Sequence, residues 1–489
     1  MRRRAPPLFL LLVACARTRT PHGEVRLHLE AEPPHLNPLL GGDAVGIRIT
    51  LGDVYEPLWR MDDQGVPAPV LAASFTRSPD DREWTFVVRD RVKWHDGRPL
   101  VPEDVAETLK RLAPGGLQVP LAADFDDLEL IEIVEPRSVR LRFRETRVGR
   151  DRSLARVPIL PSHVPLETLA RAPVGTGPFA FEGWDRWREI RFRNFAGYWG
   201  RPAHLARVVY RIISDRANAR AQLRAGQLDL LMGASPAEVA EAGDAKVVPY
   251  EMPTFSAVVW NLERGKLGDP RVRRALGQLL DRPTISREVF GGRARLWTGP
   301  WSPDDPATDP AVPALAFDPA RAKAALAEAG AAPLRVTLLY PASSRQSERV
   351  LTIWKADAAR VGVELVLDPQ PFDEVLRRTA GRDFDGVALS YPSEREQEFY
   401  DFFHSSRVSV RNNGGFSDPE VDRLLDEIRT TVDPSARHAL EHRLHKRLAE
   451  LQPLTILFGD FRAALVSPRL QGLKVDLFDA GARNLEVRR

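Results

Sequence analysis

The stretch VGTGPFAFEGWDRWREIRFRNFAGYWG, residues 174–200, carries the strongest local signal in the chain. It opens with Gly175, Gly177 and a proline, a composition typical of a tight turn. Ile190 and Phe192 then alternate with arginines, and such an alternation of apolar and polar residues predicts a half-buried strand. The turn lacks the third glycine of a dinucleotide-binding loop, so we interpret it as a structural turn and not as a phosphate site.

Length and composition narrow the class of protein. At 489 residues the chain is longer than one hydrophobic core usually serves, so we expect two or three lobes. The 70 basic and 67 acidic residues nearly cancel to a formal net charge of +3, and arginine is spread along the chain. This pattern does not predict a nucleic-acid partner. The single cysteine, Cys15, excludes an internal disulfide and a cysteine-based metal site.

The N-terminus has the pattern of an export signal. Arginines at residues 2–4 precede an apolar run at residues 8–13, which is too short to span a bilayer. The tetrapeptide LVAC, ending at Cys15, resembles the lipobox of bacterial lipoproteins. We therefore expect residues 1–15 to be a signal peptide, and the mature lipoprotein to be anchored through Cys15 at the periplasmic or cell-surface face of a bacterial membrane. A cytoplasmic N-terminus with a chance cysteine is the alternative.

Strands and helices alternate in the C-terminal half. Four Asp-Pro pairs each place an N-cap acceptor before a proline suited to the first helical turn, which predicts helices after residues 269, 318, 418 and 433. Between residues 336 and 390 the apolar pattern switches between the strand and the helix period. This alternation indicates an open α/β sheet. In the N-terminal half, residues 59–170 contain several strand-like alternations and form a candidate lobe of their own.

One motif suggests catalysis. Residues 438–442 read HALEH, the HxxEH pattern of inverted zinc peptidases, and His445 adds a third imidazole on the same helix face. Such a site needs a further carboxylate from a distant downstream helix, and only about forty residues remain. We therefore favour a solvated helix, and we expect no catalytic residue, no metal site and no cofactor.

Further segments, taken in order with residues 174–200, resemble the family 5 extracellular solute-binding proteins of ABC transporters, the oligopeptide, dipeptide and nickel-binding group. The matching segments are LNPL (36–39), YEPL (55–58), WTFVVRDRVKWHDGRPLVPEDV (84–105), ILPSHV (159–164), LRAGQLDL (223–230), DPRVRRAL (269–276), FDPARAKAALAEAG (317–330), DFDGVAL (383–389) and NNGGFSDPEVDRLLDE (412–427).

The resemblance implies a bilobed α/β fold of the type II periplasmic-binding-protein class, in its large form with an inserted domain and mixed sheets flanked by helices. Lobe I would comprise residues 16–58, 171–268 and 459–489, and lobe II residues 269–458. Residues 59–170 would be the inserted domain. Chain crossings near Gly268 and Gly459 would form the hinge, and the ligand would be buried between the lobes.

One segment departs from the family pattern. After the DFDGVAL strand, peptide-binding members carry a tryptophan and an acidic Asp-Pro segment that binds the peptide ammonium. Here residues 390–406 read SYPSEREQEFYDFFHSS, with Tyr391 near the usual tryptophan and no Asp-Pro pair. Acidic residues at 394, 396, 398 and 401 either replace that anion or form a solvated loop, so the sequence leaves the ligand open.

The resemblance implies an extracytoplasmic substrate-binding component of an ABC importer, a monomer without enzymatic activity that delivers a peptide or similar small solute to the transmembrane permease subunits. Two alternatives stay open: a receptor for a non-peptide solute such as a metal chelate, and an extracytoplasmic metallohydrolase that uses HxxEH. The expected ligand contacts are Tyr55, Glu56, Trp260 and Asn261 on the first lobe and Tyr391, Tyr400, Asp401 and Asn413 on the second.

Overall fold

The computed structural model describes residues 23–41, 44–62, 66–134, 136–393, 396–408, 411–473, 482 and 485–487. The predicted signal peptide, with Cys15, lies outside these residues. Among the helices of the described ranges, none has the length and apolar character needed to cross a membrane.

Strands and helices are mixed along the described chain. The strands are β1 (Glu24–Leu29), β2 (Trp59–Met61), β3 (Pro67–Pro69), β4 (Ala72–Arg77), β5 (Glu83–Val88), β6 (Leu128–Val134), β7 (Ser138–Phe143), β8 (Phe179–Asp185), β9 (Glu189–Asn194), β10 (Arg207–Ile212), β11 (Leu230–Ala234), β12 (Lys246–Trp260), β13 (Leu334–Pro341), β14 (Val363–Gln370), β15 (Gly386–Pro392), β16 (Leu454–Val466), β17 (Leu470–Gln471) and β18 (Glu486–Val487). The helices are α1 (Ala44–Thr50), α2 (Pro102–Lys110), α3 (Arg150–Ala155), α4 (Leu166–Leu169), α5 (Arg216–Arg224), α6 (Pro236–Ala240), α7 (Pro270–Gln278), α8 (Arg282–Phe290), α9 (Pro319–Glu328), α10 (Arg345–Ala359), α11 (Phe372–Ala380), α12 (Glu396–Phe403), α13 (Pro419–Thr430) and α14 (Pro434–Leu451).

Ten strands form one mixed sheet, in the order β14-β13-β15-β12-β16-β11-β1-β10-β9-β8. The long antiparallel strands β12 and β16 belong to both halves of this sheet. Up to Glu251, β12 pairs with residues 461–466 of β16, and from Phe255 it pairs with the earlier part of β16 and with β15. The register shifts between Glu251 and Phe255, so the chain passes from one half to the other at this point.

The first crossing therefore lies before residue 268, the boundary predicted from the sequence. Trp260 is paired with Gly386 and belongs to the second half of the sheet, so Trp260 and Asn261 do not lie on the first lobe as expected. Gly459, near which the second crossing was expected, is paired with Phe255.

The hydrophobic core joins residues 59–170 to the first half of the main sheet. Residues 59–170 contribute their own antiparallel sheet, β4-β5-β7-β6, but Trp84 and Phe86 of that sheet share one continuous apolar cluster with Val25 and Leu27 of β1. The predicted insertion is thus packed onto the first half of the main sheet. In the second half, one apolar cluster lies on each face of the sheet.

Local capping chemistry produces the four Asp-Pro helices predicted above. The side chain of each aspartate accepts a hydrogen bond from a backbone N–H in the first turn, and proline occupies the start of the helix. The α/β fold class with mixed sheets flanked by helices is confirmed.

Candidate solute site

The turn at the start of residues 174–200 fits against the backbone of residues 53–54. A Cβ atom on Gly175 would lie 1.8 Å from the carbonyl oxygen of Val54, and one on Gly177 would lie 2.3 Å from that of Asp53. Only glycine fits at this approach, which explains the GTG sequence without a phosphate ligand.

Glu56 is held by the same stretch. Its side chain is fully buried and accepts hydrogen bonds from Thr176 Oγ1 (3.0 Å), Tyr198 OH (2.8 Å) and Trp199 Nε1 (2.8 Å). An Arg60 guanidinium nitrogen lies 3.5 Å from one carboxylate oxygen. Burial raises the pKa of Glu56, and these partners oppose that rise. Since both carboxylate oxygens have intramolecular partners, the structure gives Glu56 a structural role and not the ligand contact expected from sequence.

Three other expected contacts are also part of the packed interior. Tyr55 and Trp260 are fully buried, and Trp260 Nε1 donates to Thr455 Oγ1 at 3.0 Å. The Asn261 amide donates to the carbonyl oxygens of residues 382 and 384 and accepts from the backbone N–H of Glu263. Trp260 and Asn261 fix the backbone beside the crossing, Tyr55 packs in the apolar cluster of the first half, and none of the three is presented to a ligand in this structure.

A cavity of about 260 Å³ lies in the second half of the molecule, beside the crossing. Tyr391 at the end of β15 and Asn413 in the following loop, both expected contacts, line it together. The remaining walls are mainly apolar: Phe255, Val259, Leu376, Thr379, Val387, Leu389, Phe399, Phe402, Phe403, Arg411, Asn412, Gly414, Phe416 and Pro453. We call this the lobe II cavity.

Tyr391 gives the lobe II cavity a polar group. Its ring packs against Phe402 at 5.0 Å and Phe255 at 5.9 Å between centroids. Its side chain is partly buried, burial raises the pKa of Tyr391, and its hydroxyl has no hydrogen-bond partner in the described part of the chain. A phenol hydroxyl at a cavity wall commonly takes a hydrogen-bond partner, which a bound solute can supply.

The charge of the lobe II cavity is one-sided. Arg411 is the only charged side chain among its lining residues. The adjacent Asn412 is fixed, because its amide donates to the carbonyl oxygens of His404 and Phe416 and accepts from the Phe416 N–H. The described lining therefore suits an apolar group next to a hydrogen-bond acceptor.

Tyr400 and Asp401 lie outside this lining. Tyr400 stacks on His404 at 4.4 Å and donates to Asp426 Oδ1 at 3.1 Å, while Asp401 accepts from Arg407 Nε at 2.7 Å. Glu394 lies outside the described residues, and the side chains at 396 and 398 are not described. A replacement anion for the peptide ammonium therefore stays a prediction.

The HxxEH motif does not form a convergent site. Glu441 is 4% exposed and accepts from His438 Nδ1 at 2.8 Å, whereas His442 Nε2 donates to the carbonyl oxygen of Pro306. His445 Nδ1 accepts from the backbone N–H of Asp309. The imidazoles thus have separate partners, and within the described ranges no three ligand-type side chains are grouped to hold a metal.

Sequence reasoning missed most of the apolar wall. Leu376 on α11 and the phenylalanines at 255, 399, 402 and 416 come from separate segments of the chain. The cluster of aromatic residues at 399–403 was visible in the sequence, but only the tertiary structure brings it beside Phe255.

Two α/β halves joined by two crossing strands, with an apolar cavity beside the crossing, define a two-lobed solute-binding protein. Comparisons with known proteins agree. Residues 66–407 match the family model described as bacterial extracellular solute-binding proteins, family 5 middle.

The oligopeptide-binding protein AppA of Bacillus subtilis is 24% identical over 89% of this chain and 90% of that protein. Di/tripeptide-binding protein 2 of Pseudomonas aeruginosa is 28% identical over 79% and 80%. Among solved structures, the ABC transporter substrate-binding protein CtaP of Listeria monocytogenes has a TM-score of 0.87 at 21% identity, over 96% of this chain and all of that one.

The chain belongs to the family 5 bacterial extracellular solute-binding proteins. Its relatives are binding proteins and not enzymes.

Proposed function

We propose that this protein captures a peptide with an apolar side chain and delivers it to the permease subunits of an ABC importer. The observation that carries the proposal is the lobe II cavity, which combines aromatic walls with the unpartnered hydroxyl of Tyr391. The likeness to the oligopeptide-binding protein AppA and to di/tripeptide-binding protein 2 supports a peptide ligand, and the likeness to the ABC transporter substrate-binding protein CtaP supports the transporter.

The ligand enters with one side chain in the cavity and its backbone toward the polar rim. Tyr391 donates to a ligand carbonyl at this rim. A non-peptide solute is the second candidate, because residues 390–406 contain no Asp-Pro pair.

Capture requires only that the closed arrangement of the lobes binds the solute more tightly than the open arrangement does. Closure bends β12 and β16 where their register shifts, between Glu251 and Phe255, and no covalent step is involved. The lobes follow the division given above, with the first crossing placed in β12, and the protein acts as a monomer without enzymatic activity.

The lipid anchor on Cys15 keeps the receptor at the outer face of the membrane, near the permease. The pattern of residues 1–15 supports this assignment. In a bacterial host, Cys15→Ser is expected to move the protein from the membrane fraction to the soluble one and to remove the acyl mass from its N-terminal peptide. Unchanged partitioning and mass would contradict the anchor.

Two substitutions on one helix test the lobe II cavity. Leu376 lines it and is 46% exposed, whereas Phe372 lies one turn earlier on α11, is 53% exposed and does not line it. Both positions tolerate a charge without loss of folding. Peptides that bind the unmodified protein are first selected from a tri- to hexapeptide mixture by thermal shift, and their affinities are then measured by calorimetry.

Leu376→Asp is expected to weaken binding of the selected peptides about tenfold or more, because burying an apolar side chain contributes about 1.5–3 kcal/mol. Phe372→Asp should leave the affinity within about twofold of the unmodified protein. Equal affinities for the two variants would contradict the assignment of the cavity, and binding of no peptide at all would contradict the proposed ligand class.

A further inference from the structure

A second cavity, of about 580 Å³, lies at the edge of the sheet in lobe II. Its floor includes Leu454 and Ile456 of β16, its walls include side chains of α7 and α14, and residues 297–316 cover it. All its lining residues lie between positions 274 and 456, so the cavity is complete within one lobe and does not depend on closure. We call it the edge cavity.

Three cations from three helices line the edge cavity. Arg274 lies on α7, Arg321 in the first turn of α9 and Lys446 on α14. In the described part of the chain, none of the three has an ion pair with a carboxylate.

The lining residues include four cations and two carboxylates, Asp309 and Glu450, so the formal net charge of the lining is 4 − 2 = +2. Glu450 forms an ion pair with Arg447, at 3.4 Å, and Arg447 is not a lining residue. Asp309 accepts a hydrogen bond from the backbone N–H of Ala311 and so stabilises its own loop. The field inside the edge cavity is therefore positive.

A fourth cation is buried in the wall. Arg282 is 8% exposed and donates to the carbonyl oxygens of Gly277, Leu315 and Ile456. No carboxylate pairs with it in the described residues, and burial lowers the pKa of Arg282 to about 10. A buried guanidinium without a counterion is stabilised by an anion nearby.

The remaining wall is apolar, with Trp297, Val312, Leu315 and Phe403 beside the two β16 side chains. The volume lies within the range of small-molecule sites, about 300–1,000 Å³. From the positive rim and this apolar interior, we infer that the edge cavity is a second binding site, for a small organic anion with a hydrocarbon body. The inference does not rest on the proposed peptide function, since no residue of the first lobe and no bound peptide is needed.

Octanoate is the test probe. Octylammonium and octanol have the same chain length and serve as the cationic and the neutral control. Calorimetry on the full protein is expected to show one octanoate site, with affinity at least about tenfold higher than for octylammonium. Octanol should bind more weakly than octanoate, because it gains nothing from the positive rim.

Two variants locate the site. The double substitution Arg321→Ala with Lys446→Ala is expected to weaken octanoate binding about tenfold. Lys323→Ala is the matched control, because Lys323 is an exposed cation on α9 that does not line the cavity. It should leave octanoate binding unchanged. Arg321, Lys446 and Lys323 are all exposed, so we expect these variants to fold.

Leu376→Asp separates this site from the lobe II cavity, since it should reduce peptide binding and leave octanoate binding intact. The inference is overturned if octanoate does not bind at millimolar concentration, if octylammonium binds equally well, or if the double variant binds octanoate as tightly as the Lys323→Ala control. Retained peptide binding by the double variant would leave the proposed transport function standing in each of these cases.

Discussion

The carboxylate of Glu56 is fully buried in the first half of the molecule. Its donors come from residues 176–199, so the charge joins two segments more than a hundred residues apart in sequence. Removing one partner of such a group leaves the others unsatisfied, which costs more than the group contributed. Residue type alone could not distinguish this role from ligand binding, because a glutamate in YEPL suits both.

Glu56→Gln is expected to lower the free energy of unfolding by about 2–4 kcal/mol, because in either orientation the amide NH₂ would face a donor that cannot accept, Trp199 Nε1 or the Arg60 guanidinium. Solute affinity of the folded protein should not change. Urea unfolding and calorimetry measure the two quantities, with the exposed Glu30→Gln as control. A loss of affinity without a loss of stability would restore Glu56 to the ligand site.

His95 links the turn of residues 93–100 to the same stretch. Its Nδ1 accepts from the Gly175 N–H at 3.1 Å, and its Nε2 donates to the Gly177 carbonyl oxygen at 2.9 Å. This arrangement needs the neutral ring. Burial, aided by Arg193, lowers the pKa of His95 to about 4, against the effects of the Gly177 carbonyl and Asp96.

Because the folded pKa of His95 is lowered, the unfolded chain takes up a proton at a higher pH than the folded one. Stability is therefore fully present above about pH 6.5 and falls as the pH drops toward 4, by up to about 3 kcal/mol. Urea unfolding across this range should show a shallower pH dependence for His95→Gln. Identical dependence in both proteins would contradict the lowered pKa.

At the scale of elements, locally determined features were predictable and long-range ones were not. The four Asp-Pro helices need only a side chain and the backbone of the next turn, so their starts followed from the sequence. The strand β12 was missed because KVVPYEMPTFSAVVW contains two prolines and forms one strand only by pairing with β16 and β15. That error placed Trp260 and Asn261 on the wrong lobe.

Arg273 and Arg274 are consecutive on α7, but only Arg273 is buried against the C-terminus of α14. Arg273, 2% exposed, donates to the carbonyl oxygens of Leu267, Leu451 and Gln452, and so satisfies the C-terminus of α14. The neighbouring Arg274 is exposed and makes one longer contact, of 3.5 Å, to the carbonyl oxygen of Ala449 in the same helix end.

Arg273→Met is expected to destabilise the protein by about 2–4 kcal/mol, because the carbonyl groups at the end of α14 lose their donor. Arg274→Met should change stability by less than about 0.5 kcal/mol. Urea unfolding of the two variants gives the comparison, and similar losses in both would argue against the capping role of Arg273.

At the scale of the whole molecule, residues 59–170 also contact lobe II. The backbone N–H of Val148 donates to the carbonyl oxygen of Arg429 at 2.9 Å, and the Arg429 guanidinium lies 3.5 Å from Glu145 and 4.8 Å from the ring centre of Tyr400. This contact joins residues 59–170 to α13. Its disruption should favour the open arrangement.

Arg429→Ala is expected to weaken solute binding by up to about fivefold, because the closed arrangement loses the ion pair with Glu145. Small-angle scattering without solute should show a larger radius of gyration. Arg423→Ala is the control, since Arg423 pairs with Glu427 within α13. Equal scattering and affinity in the two variants would show that the contact does not influence closure.

Native mass spectrometry tests the central claim most directly. The protein purified without an unfolding step is expected to carry adducts with the masses of peptides, which are released by acid and contain apolar residues. If only the bare chain is seen, both as purified and after incubation with a peptide mixture, the protein is not the peptide receptor proposed here.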